Sequence, residues 1–133
     1  MGQTLSNLAK YLGDRGDLLR QIGKLGEAFE DHNKAVAIFT QLVERDHQKC
    51  IAHSFAMSLG NRGDTLAKLG MLDEAIADYD AAVAILAPLV EREGQESLAN
   101  DLAELRRKHD EILRRQSQEE AIPGLMKPYG LVH

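Results

Sequence analysis

Apolar residues in the first part of the chain recur in steps of three and four: Leu5, Leu8, Leu12, Gly16, Leu19 and Ile22. That spacing predicts an amphipathic helix with one apolar face. Gly23 follows where a residue free to adopt the left-handed conformation closes the last helical turn. A second helix is predicted through Ala28, Phe29, His32, Ala35, Val36, Phe39, Leu42 and Val43. The pattern then returns. Ala52, Phe55, Leu59, Gly63, Leu66 and Leu69 predict a third helix, and Gly70 its stop. Ala75, Ile76, Tyr79, Ala82, Val83, Leu86, Leu89 and Val90 predict a fourth, with Asp73 placed to cap it. A fifth helix is predicted from about Gln95 to about Gln118.

The recurrence is a duplication. With Gly13 laid on Gly60, GDRGDLLRQIGKLGEAFEDHNKAVAIFTQLVER runs without a gap against GNRGDTLAKLGMLDEAIADYDAAVAILAPLVER. Roughly half the positions are identical, at a period of about 47 residues. The repeats cover about 4–46 and 51–93. Carried forward, the register sets Leu98 on Ile51, Leu102 on Phe55 and Leu113 on Leu66, but Arg106 on Leu59 and Asp110 on Gly63. A helix over about 95–118 that turns polar on its outer face is what ends a repeat array. The sequence therefore predicts an all-α domain over 1–118, an α-solenoid of antiparallel helix pairs with two repeats and a C-terminal capping helix. An irregular apolar tail follows over 119–133.

Each repeat contains Arg-Gly-Asp, at Arg15-Gly16-Asp17 and at Arg62-Gly63-Asp64. Adhesion ligands present that tripeptide on an exposed turn. Here its glycine falls inside a helical stripe, where a missing side chain lets a neighbouring helix approach. The tripeptide reads as repeat grammar, not as an adhesion signal.

The stretch GDTLAKLGMLDEAIADYDAAVAIL, within Leu59 to Leu86, resembles a tetratricopeptide repeat: Gly63, Gly70, Glu74-Ala75, Tyr79 and Ala82 stand at that family's spacing. The first copy matches at Gly16, Gly23, Glu27-Ala28 and Ala35, with His32 where the aromatic is usual. The resemblance runs from about Leu5 to Leu113. The period exceeds the family's usual length of about 34 residues, so the chain resembles a long-helix variant. The resemblance implies an interaction scaffold or adaptor, not an enzyme, holding a peptide or partner domain on a concave face lined by the first helix of each pair. It carries that face onto Lys10, Asp17, Arg20 and Gln21 of the first helix. The third helix contributes Met57, Asn61, Asp64 and Lys68, and the fifth Glu104, Arg107, Glu111 and Arg114. The basic clamp with which some members grip acidic chaperone tails is not carried over: Asn61 fits, but Asp14, Asp17 and Asp64 bring acids to that region. A mixed or basic peptide is the expected ligand. The alternative is a self-assembling module in which the tail or the helix faces mediate homo-oligomerisation.

Composition narrows the classes further. A formal net charge of -5 disfavours a nucleic-acid partner held by phosphate contacts, which needs a basic face. No window approaches the roughly 18 apolar residues of a membrane span, and the start lacks a secretory layout. A cytoplasmic chain without membrane attachment is expected, and the single Cys50 rules out an internal disulfide framework. No phosphate-cradling glycine loop or nucleophile elbow is present, so no cofactor and no catalytic site are expected. His47, Cys50 and His53 recur every three residues. A small buried Cys between two partly exposed His is preferred there over a soft-metal site, because three residues spanning more than a turn do not converge. His32 is expected to be a packed core residue whose ring nitrogens find partners. The tail SQEEAIPGLMKPYGLVH is too rich in Pro and Gly for a helix and, with Ile122, Leu125, Met126 and Tyr129, too apolar for a plain solvated end. It folds back on the stack, docks into a second molecule as a homodimer contact, or is disordered.

Overall fold

The computed structural model describes residues 2–45, 49–92 and 94–121, and the side chains of 3–45, 51–92 and 94–119. Five helices follow one another: α1 (Gly2–Gln21), α2 (Leu25–Arg45), α3 (Lys49–Lys68), α4 (Leu72–Glu91) and α5 (Ala99–Ala121). A 3-10 turn over Glu96–Leu98 leads into α5. Among the described residues there is no strand. The protein is an all-α helical repeat. α1 packs on α2 and α3 on α4, the two hairpins stack through α2 and α3, and α5 closes the stack on α4.

The glycine stops act as the sequence predicts. Gly23 and Gly70 have φ of 86° and 83°. Such a residue turns the chain so that the following amides cap the helix: Gly23 N–H bonds the Arg20 carbonyl at 3.0 Å and Lys24 N–H the Leu19 carbonyl at 2.8 Å. Gly70 and Met71 repeat this pair of bonds on Ala67 and Leu66. Both are the double bond that satisfies a helix C-terminus.

Three details differ from the sequence-based expectations. The fifth helix begins at Ala99 and ends at Ala121, not at Gln95 and Gln118. Gly94, with φ of 68°, and the 3-10 turn occupy the predicted first turn, bringing buried Leu98 onto the core ahead of the helix proper. Asp73 is not a cap: Met71 holds the cap position with no side-chain bond, and Asp73, already inside the first turn, accepts from Gln116 of α5. In α1, finally, Leu8 and Ile22 do not belong to the buried stripe; they are exposed, while Ala9, Leu12 and Gly16 are buried. The face of α3 that carries their counterparts Phe55 and Leu69 rests on α2, and no described helix plays that part for α1.

The core falls into two clusters. One joins Ala9 and Leu12 of α1 to Ala35, Phe39 and Leu42 of α2 and Ile51 of α3. The other runs from Leu59 and Leu66 of α3 through Tyr79, Ala82 and Leu86 of α4 to Leu98, Leu102, Leu105 and Ile112. Phe55 touches both. Leu98 and Leu102 fall where the repeat register has Ile51 and Phe55, whereas Leu105 and Ile112 stand in place of Ser58 and Thr65 and make that face of α5 apolar toward α4, and this is why a chain with two repeats buries its last hairpin. On the other face of α5, Arg106 and Asp110 stand exposed where α3 has Leu59 and Gly63, as an end cap requires.

Candidate partner-binding surface

Each residue of the Arg-Gly-Asp tripeptide serves the joint between the two helices of its own repeat. Arg15 holds Asp31 of α2 in a fork of two bonds, Nε at 2.7 Å and Nη2 at 2.9 Å. Arg62 holds Asp78 of α4 in the same fork, at 2.7 Å for both bonds. Both aspartates are buried. The guanidinium forks satisfy their oxygens, and Arg15 keeps Asp31 below the usual carboxylate range. A Cβ on Gly16 would stand 2.6 Å from His32, and one on Gly63 would stand 2.9 Å from the Tyr79 ring. The glycine therefore sets how closely the helices approach. Asp17 accepts from His32 Nε2 at 3.0 Å and Asp64 from the Tyr79 hydroxyl at 2.5 Å. Burial and the neighbouring carboxylate push the Tyr79 phenol well above its ordinary range, so it stays a donor.

A second set of bonds ties one repeat to the next. A carboxylate only accepts, so His32 Nε2 carries a proton toward Asp17, and Nδ1 is hydrogen-bonded with the Thr65 hydroxyl of α3 at 3.0 Å. His32 is fully buried with both ring nitrogens partnered, the packed role expected of it. Arg62 extends its third nitrogen to Asn33 of α2 at 3.1 Å. Arg20 bonds Asp17 at 3.1 Å and the Asn61 carbonyl at 3.3 Å. Lys108 of α5 reaches Asp64 at 2.9 Å. Among the described residues no buried side-chain nitrogen or oxygen lacks a partner.

Among the described residues, two clefts lie along the side where the first helices meet. The first, of 230 Å³, lies between α1 and α3 and is lined by Lys10, Asp14, Phe39, His53, Met57 and Asn61 among others. The second, of 380 Å³, lies between α3 and α5 and is lined by Arg20, Asp64, Lys68, Tyr79, Arg107, Lys108, Glu111 and Arg115 with apolar Ala67 and Ile112. Of the sequence-derived positions, Lys10, Met57 and Asn61 meet in the first cleft and Arg20, Asp64, Lys68, Arg107 and Glu111 in the second. Asp17 lines neither, being taken up by His32 and Arg20. Gln21 and Arg114 are exposed outside both, and Glu104 is spent on a fork to Arg107 at 2.7 and 3.0 Å. Lys108 and Arg115 escaped the sequence reading, although the register that reveals the repeats sets them on Asn61 and Lys68.

The second cleft carries charges of both signs with a basic excess. Within the fold Arg20 is paired with Asp17, Lys108 with Asp64, and Arg107 with Glu104 and Glu111. The cleft presents five basic side chains against two acidic ones, and neither Lys68 nor Arg115 has a carboxylate partner among the described residues. Its field favours anionic groups. The trio of His47, Cys50 and His53 is described only at His53, whose Nε2 donates to Asp101 of α5 at 2.9 Å; His47 and the Cys50 side chain lie outside the described residues. So does the tail from Ile122 onward. Among the described residues no three His, Cys, Asp or Glu side chains are grouped to hold a metal ion, and no helix is long and apolar enough to cross a membrane.

Residues 57–85, from the middle of α3 into α4, match the tetratricopeptide repeat family. The second hairpin is a tetratricopeptide repeat. Its turn glycine, its close-packing Gly63 and its Tyr79 slot are the features that α1 and α2 reproduce through Gly23, Gly16 and His32. No curated protein and no solved structure matches the chain. Tetratricopeptide repeats generally mediate protein–protein interactions.

Proposed function

We propose that the protein is an interaction adaptor that holds an extended peptide or the edge of a partner domain along the α1, α3 and α5 side. The observation that carries this reading is the α3–α5 cleft, where five basic side chains surround a floor that includes Ala67 and Ile112. Rings of cations around an apolar floor suit a segment that combines acidic side chains with an apolar anchor. The smaller α1–α3 cleft, with Phe39 and Met57 beside Lys10 and Asp14, continues the same side and suits a less charged stretch.

Selection of a random twelve-residue display library on the full chain tests this. Enriched binders are expected to carry net negative charge and to lose at least tenfold in affinity on the Lys68→Glu, Arg115→Glu chain. Binders indifferent to both cleft substitutions and to Met57→Ala would overturn the reading.

A further inference from the structure

The α3–α5 cleft holds more cationic donors than the fold engages. Of its five basic side chains, Lys108 is bonded to Asp64 and Arg107 to Glu104 and Glu111, whereas Lys68 and Arg115 have no carboxylate partner among the described residues. Arg20 stands between these cases. Its side chain is 15% exposed, and both its bonds, to Asp17 and to the Asn61 carbonyl, leave from Nη1, so Nε and Nη2 are free of partners among the described residues.

The repeat register makes a pair of the two unengaged cations. Lys68 and Arg115 hold the same position on α3 and α5, one repeat apart, and enter the cleft from its two walls; the equivalent on α1 is the uncharged Gln21. The fold does not need either charge. The carbonyls of Thr65, Leu66 and Ala67 that end α3 already take the amides of Leu69, Met71 and Gly70, so Lys68 is not required as a cap, and Arg115 is exposed. Between them lie Ala67 and Ile112, buried to 8% and 5% exposure.

This arrangement suits a doubly charged anion. A carboxylate has one charge and two oxygens, which a single guanidinium fork satisfies, leaving the ammonium on the opposite wall unmatched. A phosphomonoester carries about -1.5 to -2 at neutral pH and three acceptor oxygens, enough for Arg115, Lys68 and the spare nitrogens of Arg20. A polyanion suits it less. The chain's net charge of -5 and the acids Asp64 and Glu111 beside the cations oppose an extended run of phosphates, whereas one phosphate on a weakly charged peptide meets mainly the field within roughly 10 Å. We infer that the α3–α5 cleft recognises a phosphorylated side chain of a partner peptide, held between Lys68 and Arg115, with an adjacent apolar residue of the peptide on Ala67 and Ile112. This rests on the adaptor reading and names the ligand class of the same cleft.

A bead library of random twelve-residue peptides tests it on the full chain, with Ser, Glu, phosphoserine, phosphothreonine or phosphotyrosine fixed at the centre. Phosphorylated beads are expected to dominate capture. Captured sequences, remade with Ser and Glu at the centre and titrated by fluorescence anisotropy, should bind about tenfold or more tighter in the phosphorylated form than in either other form. Lys68→Gln and Arg115→Gln should each remove most of that margin and leave the Ser form's affinity and the far-ultraviolet circular dichroism unchanged, since both side chains are exposed. Glu forms that bind as tightly as phosphorylated ones overturn the inference and leave the adaptor reading standing, and so does a phosphate margin that survives both substitutions. If no peptide of any form binds, both readings fall. Tighter binding of inorganic phosphate, of a twelve-nucleotide uridine RNA or of phosphatidylserine vesicles than of the best phosphopeptide would overturn the assignment to a peptide.

Discussion

The Tyr79 hydroxyl donates to the Asp64 carboxylate at 2.5 Å, and the other oxygen of that carboxylate receives Lys108 at 2.9 Å. One carboxylate thereby joins α3 to α4 and to α5. Tyr79→Phe keeps the ring in its slot and removes the donor, and it should cost about 1–2 kcal/mol. Asp64→Ala should cost more, because it strands the phenol and releases α5 together. Urea unfolding of both variants, compared at equal slope, checks the order.

The glycines of α1 should respond in opposite directions to the same substitution. Gly16→Ala forces a methyl to within 2.6 Å of a ring bonded at both nitrogens, and about 1–3 kcal/mol of destabilisation follows. Gly13 has nothing within 4 Å of its would-be Cβ. Gly13→Ala should therefore raise stability by roughly 0.5–1 kcal/mol through helix propensity. Thermal melts of the two single variants provide the comparison.

The two Arg–Asp forks look alike and should differ in weight. Arg62 is 24% exposed and Arg15 47%. Removing Asp78 leaves a half-buried cation with Asn33 as its one remaining partner, whereas Arg15 without Asp31 can turn to water. Asp78→Ala should cost about 3 kcal/mol and Asp31→Ala about 1 kcal/mol, read from denaturant midpoints.

Acid should erase the contribution of Asp31. Its folded-state pKa lies below the ordinary 3.8, so its stabilising effect is complete above that value and fades as pH falls toward the folded-state pKa. The stability gap between wild type and Asp31→Asn is expected to be widest near neutrality and to close progressively below about pH 4. A gap that grows on acidification would contradict the assignment.

The fold was legible because apolar spacing and glycine stops are local signals, and because the duplication let each helix be read twice. Gly23 and Gly70 ended their helices where a left-handed residue was foreseen. What escaped depends on neighbours. Leu8 and Ile22 carry the same spacing as Phe55 and Leu69, and spacing alone does not tell whether a helix lies opposite. Asp17 looks like a surface acid until His32 and Arg20 are brought to it by the hairpin. At the cleft, Arg107 and Arg114 were chosen one position away from Lys108 and Arg115; strict use of the repeat register would have found the latter pair.

The likeness of the two repeats also bears on how the chain finds its pairing. α1 offers α4 the same arginine, glycine and aspartate that α3 offers it, so a hairpin assembled across the repeats would satisfy most of the bonds of the correct one and compete with it. The slot residue sorts them. His32 requires a hydroxyl on its far side, which Thr65 supplies and its counterpart Leu18 does not. A swapped arrangement buries a ring nitrogen without a partner, a penalty of about 1–3 kcal/mol. By replacing the tyrosine of one repeat with histidine in the other, the chain makes its two halves distinguishable while it folds.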